Sequence, residues 1–287
     1  MPSFILALDQ GTTSSRAMLV DADGQVAGVA AEEFPQLYPQ PGWVEHDPWD
    51  IWNSQQSAIR QVMEARGVSA ADIAAVGITN QRETTLVWRR ADGQPVGNAI
   101  VWQDRRTAGE CEALRAEGRT EWLQAKTGLL PDPYFSATKL ARILQGVPGA
   151  GADPGDLAFG TVDTWLIWQL SGRQSHYSDR TNASRTLLWN LREERWDPEL
   201  LELFQVPESV LPEVLRSAAD FGEAATLGAG AIAPRIMGVA GDQQAALFGQ
   251  AGWEPGIAKN TYGTGCFLLL NTGADAPTAA DGLLTTA

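Results

Sequence analysis

Apolar residues along this chain fall into short runs broken by polar residues, and the spacing of the runs predicts alternating strands and helices. Phe4 to Leu8 is an apolar run of strand formers that ends on Asp9. Gly11 and the hydroxyl residues Thr12, Thr13, Ser14 and Ser15 then reverse the chain, and a second apolar run from Ala17 to Val20 leads to Asp21-Ala22-Asp23-Gly24. Asp-Gly is a hairpin signal, so the opening reads as strand, turn, strand, turn, strand, with Gln25 to Phe34 as the third. Asp47 before Pro48 is an N-cap acid with proline in the first helical turn. Ile51, Trp52, Ala58, Ile59, Val62 and Met63 then recur at helical spacing to about Arg66, and Gly67 is a natural stop. Ile73 to Ile78, apolar between polar segments, fits a buried parallel strand.

The same reading predicts a strand from Thr85 to Trp88, another ending at Ala99 to Trp102, a helix to about Glu117, and a helix from Ala137 to Gln145. Gly146 to Asp156 is rich in Gly and Pro and reads as a low-order loop. A strand near Ala158-Phe159, a helix through Thr164 to Trp168 stopped by Gly172, a strand from Thr186 to Asn190 and a helix from Pro198 to Phe204 follow. After a loop-rich acidic section to Ala231, Ile236 to Ala240 is again strand-like. Gly256 to Leu270 then repeats the opening form of strand, Gly-Thr turn and apolar strand, a weak internal repeat.

Alternating strands and helices in 287 residues, 44% of them hydrophobic, describe an α/β protein with room for two domains or one and part of another. Thirty-five acidic against 21 basic residues give a net charge of −14, with no basic run, which argues against a nucleic-acid partner. Such a protein would have to meet phosphate locally, through backbone amides, single arginines and a divalent ion. Two distant cysteines, Cys111 and Cys266, give neither a disulfide framework nor metal-ligand spacing. With no signal-like start and no run of membrane-spanning length, a cytoplasmic protein without integral membrane contact is expected. His46 and His176 are the only histidines, and neither has a catalytic partner nearby in sequence.

Several polar clusters sit where strands end. At the first turn, Gly11 allows close backbone approach, the amides can form an anion nest, and the hydroxyls with Arg16 add donors. Asp9 is placed to hold Mg²⁺ or its water. An ordinary hairpin rich in turn-forming Thr and Ser is the equally weighted alternative. Thr79 to Thr84 stands beyond the carboxyl end of a strand, where α/β sheets bind ligands. Arg82 and Glu83 there are either a surface ion pair or a donor and acceptor for neighbouring hydroxyls. Trp102 is core or an apolar wall for a polyol, and Tyr134 is presented by the proline-stiffened loop Gly128 to Ser136. Asp242 after Gly241 is either a helix N-cap or a carboxylate able to accept a hydroxyl proton beside a helix N-terminus.

The segments Asp9-Gln10-Gly11-Thr12-Thr13-Ser14-Ser15-Arg16, Pro41 to Pro48, Gly77 to Thr84, Gly160 to Trp168, Gly241 to Gln250 and Lys259 to Cys266 together resemble the N-terminal part of the FGGY carbohydrate kinases, within the sugar-kinase, actin and heat-shock ATPase superfamily, and among them the members that act on glycerol. The resemblance implies an actin-like, ribonuclease H-like ATPase fold, with residues 1–240 as the first domain and 241–287 as the start of a related second one. It implies ATP and Mg²⁺ as cofactors and phosphorylation of glycerol to sn-glycerol 3-phosphate, with a homo-oligomer compatible for the whole protein. By the same resemblance, Thr12, Thr13, Ser14, Arg16 and Thr264 meet the phosphates, with Asp9 near Mg²⁺ through water. Arg82, Glu83, Tyr134, Asp242 and Gln243 bind the glycerol hydroxyls, Trp102 and Phe267 line its carbon chain, and Asp242 is the base. The glycine-rich loops that hold adenosine in the family are expected beyond Ala287, so the 287 residues alone are expected to be inactive. The arginine with which some bacterial members bind fructose 1,6-bisphosphate falls at Ala233, so that inhibition is not expected. A family kinase for another polyol or sugar, or an actin-like ATP-binding module without catalysis, are the alternative readings.

Overall fold

The structure, a computed structural model, describes residues 3–146, 154–228, 233–263, 265–278, 280 and 282–287. Its centre is a five-stranded mixed sheet. Strands β1 (Phe4–Gln10), β2 (Ser14–Asp21) and β3 (Val26–Glu33) form an antiparallel meander, and β4 (Ile73–Asn80) and β5 (Arg235–Gly241) continue it in the order β5-β4-β1-β2-β3. β4 runs parallel to β1, and β5 parallel to β4. The register aligns three carboxyl ends: Gln10 lies beside Asn80, and Asn80 beside Gly241. Whatever follows those residues is therefore delivered to one edge of the sheet.

Helix α1 (Pro48–Arg66) is capped by the Asp47 side chain, which accepts from the amide of Trp49, and ends at Gly67 with φ +63°. Of the predicted face, Ile51, Trp52, Ala58, Ile59 and Val62 are buried and Met63 is half-buried, and the helix covers β2 and β3. A fully buried Ile51 contributes roughly 2 kcal/mol of transfer free energy. The approach is close enough that a Cβ on Gly28 of β3 would stand 3.1 Å from Val62 and from Arg66. Helix α2 (Val162–Leu170) is buried on every side. Its Trp165 meets Trp88 edge to face and donates to the carbonyl of Pro48 at 2.9 Å, tying the start of α1 to the core.

A second core, built on Leu123, Phe135, Leu140, Phe159, Leu188 and Phe204, supports the region that carries Tyr134. Helix α3 (Asp242–Gly249) follows β5 directly, and an antiparallel hairpin of Ala258–Tyr262 and Cys266–Leu270 follows it, as the internal repeat predicts.

Two elements are shorter than their apolar runs. The strand expected to reach Trp102 is only Ala99–Ile100, and Trp102 stands in a turn. Of the strand expected over Thr186 to Asn190 only Trp189–Asn190 forms, because Leu187 takes φ +63° and cannot continue a pleat. The expected loop from Gly146 to Asp156 lies largely outside the described residues; Gly146 closes the helix Ser136–Gly146, and Pro154–Asp156 is one 3-10 turn. No described helix is long and apolar enough to cross a membrane.

Candidate active site

The aligned carboxyl ends of β1, β4 and β5 bring the first turn, the Arg82-Glu83 pair and Asp242 to one cleft of about 610 Å³. The residues expected at the phosphates, Thr12, Thr13, Ser14 and Arg16, line it together with Asp9. So do all those expected at the polyol: Arg82, Glu83, Trp102, Tyr134, Asp242, Gln243 and Phe267. Thr264 lies outside the described residues. The two Gly-Thr hairpins face this space from opposite sides in sequence, since Thr261, Gly263 and Gly265 line it as well.

Arg82 is the hub of the inner end. Its Nε lies 3.2 Å from Asp242 Oδ1 and 3.8 Å from Glu83 Oε1, one terminal nitrogen donates to Gln244 Oε1 at 3.1 Å and the other to the Tyr134 hydroxyl at 3.4 Å. The guanidinium also lies 5.6 Å from the Phe267 ring centre. Arg82 and Glu83 are 4% and 1% exposed, which removes the surface ion-pair reading. Burial alone would depress Arg82, but Glu83, Tyr134 and Asp242 outweigh it and hold its pKa above the ordinary arginine value.

Asp242 is not the N-cap of α3. Gly241 holds that position and Asp242 is the first helical residue, its Oδ1 accepting from the amide of Gln243 at 2.8 Å and its Oδ2 from the Gln243 side chain at 3.3 Å. The carboxylate thus lines the cleft while also holding the second amide of its own helix. Burial raises its pKa and Arg82 opposes the rise. Gly241 is required here by contact: a Cβ would stand 2.6 Å from Arg82 Cδ and 2.8 Å from Cγ. Burial and the nearby Glu83 push Tyr134 up to about 12, so its phenol stays protonated and can donate.

At the outer end, Gly11 donates its amide to the Ser14 carbonyl at 2.9 Å, closing the turn, while among the described residues the amides of Thr12 and Thr13 make no internal hydrogen bond. Gly263 and Gly265 close the second hairpin in the same manner at 3.0 Å. Asp9 and Arg16 face each other across β1 and β2 with a 3.1 Å ion pair. Burial raises the Asp9 pKa and Arg16 pulls it back. Trp102 joins the two ends: its indole N–H donates to Thr12 Oγ1 at 3.0 Å while its ring stacks edge-on against Tyr134 at 5.6 Å and Phe267 at 6.1 Å.

Sequence reasoning missed the residues that hold this set in place. Arg185 donates to Glu83 Oε1 at 2.5 Å, Gln244 accepts from Arg82, and Lys259 donates to Gln243 Oε1 at 2.7 Å. The Thr181 hydroxyl accepts from the Gly241 amide at 2.8 Å, fixing the entry to α3. The Gln244 signal was present, one residue past Gln243 at a strand end; Arg185 and Thr181 gave none. The histidines take no part: burial holds His46 and His176 down to about 4, and they bond Gln36 and the Phe159 carbonyl, respectively.

Comparison with known proteins agrees with this geometry. The profile of the FGGY family of carbohydrate kinases, N-terminal domain, matches residues 4–249. Curated glycerol kinases of Delftia acidovorans and Ralstonia pickettii are each 57% identical over 288 residues, 99% of this chain; the chain spans only 57% of their length. Among solved structures, Plasmodium falciparum glycerol kinase with ADP superposes with a TM-score of 0.91 at 35% identity, over 99% of this chain and 57% of that one. A Lactobacillus acidophilus xylulose kinase shares the fold at 20% identity and TM-score 0.81, over 92% of this chain and 53% of its own. With a sheet whose parallel strand ends gather two Gly-Thr hairpins, a buried Arg-Glu pair and a helix-borne aspartate, and a domain profile matching most of its length, this chain belongs to the FGGY family of carbohydrate kinases.

Proposed function

We propose that this chain carries the acceptor site and half of the phosphate site of a kinase that transfers the γ-phosphoryl group of ATP to glycerol, giving sn-glycerol 3-phosphate. The observation that supports this most is the convergence of Arg82, Glu83, Tyr134 and Asp242 at one end of a cleft whose other end is a Gly-Thr turn with amides that bond none of the described residues. Phosphoryl transfer asks a protein mainly to position reactants and neutralise spreading charge.

In this reading, Arg82 donates to a glycerol hydroxyl, Glu83 accepts from its neighbour, and Tyr134 and Gln243 complete the set, with Trp102 and Phe267 against the carbons. Asp242 accepts the hydrogen of the attacking hydroxyl; a carboxylate with a pKa raised by burial is a better acceptor than a solvated one. The amides of Thr12 and Thr13, the hydroxyls of Thr12, Thr13 and Ser14, Arg16, and Thr264 from the second hairpin take the phosphate oxygens.

Mg²⁺ fits the donor set at the outer end. Asp9 offers a hard carboxylate oxygen, its side chain is 40% exposed, and Arg16 occupies only one of the two oxygens. No described group of three or more acidic, histidine or cysteine side chains could hold a metal alone, which suits an ion held by one carboxylate through water together with the nucleotide's phosphates. When bound, it would neutralise charge on the transferred group.

The test is turnover with ATP and a panel of acceptors, using this chain continued through the remaining length of the Delftia acidovorans relative. Glycerol should be phosphorylated with a kcat/KM at least tenfold above xylulose or gluconate. A preference for either sugar would replace glycerol as the substrate, and ATP binding with no transfer to any acceptor would favour a binding module.

A further inference from the structure

Glu83 is held in a way its neighbour Arg82 cannot account for. The residue has φ +56°, a backbone conformation costly for glutamate, and its carbonyl is fixed by the hydroxyls of Thr85 at 3.0 Å and Ser136 at 3.1 Å. Its carboxylate is nearly inaccessible, yet the Arg82 Nε that might orient it is 3.8 Å away and closer to Asp242, at 3.2 Å. The firm contact comes from Arg185, 4% exposed and outside the cleft lining, whose Nε meets Oε1 at 2.5 Å. Among the described residues, Glu83 Oε2 accepts no hydrogen bond. The same guanidinium lies 5.3 Å from the ring centre of Tyr134 and 5.0 Å from that of Phe135.

We infer that Arg185 is a positioning residue for acceptor recognition: by saturating one oxygen of Glu83 and backing the ring of Tyr134, it presents the other Glu83 oxygen as a fixed acceptor to a hydroxyl of the polyol. This rests on the reading of the cleft as a polyol site. A guanidinium suits the task because it is planar, permanently charged and able to stack while donating; an ammonium supplies the charge without the stacking plane. A buried carboxylate that loses the hydrogen bond fixing one of its oxygens would turn, and would be a worse-placed acceptor for a neutral hydroxyl. Among the described residues at the phosphate end of the cleft none is bonded to Arg185, so ATP should be indifferent to it.

The experiment is steady-state kinetics of Arg185→Lys and Arg185→Gln in the extended protein, with and without Glu83→Gln. Losing one charge-assisted hydrogen bond should raise the glycerol KM about 10- to 100-fold in Arg185→Gln, with partial recovery in Arg185→Lys, while the ATP KM stays within about twofold. In the Glu83→Gln background, changing Arg185 should cost little further, because the charge it holds is already gone. Should Arg185→Gln fail to fold, the lysine variant and its cycle carry the same test. Equal changes in both KM values, or additive effects of the two substitutions, would overturn the inference while leaving the kinase reading intact. A parent protein that phosphorylates no polyol would overturn that reading, and this inference with it.

Discussion

Replacing Asp163 by asparagine should make the protein more stable above neutral pH. Asp163 sits on α2, fully buried, and its carboxylate accepts from the hydroxyls of Thr161 and Ser178. Burial, then the neighbouring Asp179, push its pKa up from 3.8 to about 7. The folded state therefore binds this proton more tightly than the unfolded chain. The stability it confers is complete below about pH 3.8 and is lost as pH rises through about 7. Integrating between those two values gives a penalty of about 2 kcal/mol at pH 5 and about 4 kcal/mol at pH 8, a difference of roughly 2–3 kcal/mol. His46 and His176 give the opposite slope, because they are buried neutral and the unfolded chain gains protons below about 6.5. The measurable quantity is thus the gap between Asp163→Asn and wild type. Asparagine keeps the shape, and the two hydroxyls can rotate to suit its amide. Urea unfolding of both proteins from pH 5 to pH 8 should show the variant's advantage growing by about 2–3 kcal/mol. A gap independent of pH would refute the reasoning.

Three further outcomes follow from contacts at the cleft. Gly241→Ala places a methyl 2.6 Å from an Arg82 carbon that is pinned by Asp242, Gln244 and Tyr134, and this overpacking should raise the glycerol KM about 10- to 100-fold; an unchanged KM would show that Arg82 is free to move. Trp102→Phe keeps an aromatic wall but loses the bond to Thr12 Oγ1. It should raise the ATP KM about fivefold and the glycerol KM less, measured by varying each substrate in turn. Arg82→Ala leaves Asp242 without its charged partner and removes a donor from the proposed polyol site, and calorimetry should find glycerol binding weakened at least 100-fold.

The fold was legible where one local signal sufficed. Asp47-Pro48 and Gly67 bound α1 in sequence as they do in the structure, because caps are made by neighbouring residues. The hairpin at Gly11 was equally readable, since its chemistry lies within the turn. The strand at Thr186 was misjudged because an apolar run reports burial, not φ, and Leu187 is buried in a left-handed conformation. Asp242 left two readings open in the sequence because capping is the commoner use of an aspartate at a helix start; in the structure Gly241 takes the cap position, with its amide held by Thr181. Arg185 left no trace because its partner is 102 residues away. Residues that line the cleft could thus be read from the chain, while the side chains that fix them depended on the fold.

The central claim is that the carboxylate at the start of α3 receives the hydrogen of the attacking hydroxyl. Steady-state turnover and glycerol binding of Asp242→Asn in the extended protein test it most directly. The amide preserves the size of the side chain and removes the base, so glycerol affinity should change by less than about tenfold while kcat falls on the order of 10²–10⁴-fold. Turnover equal to wild type would contradict the account.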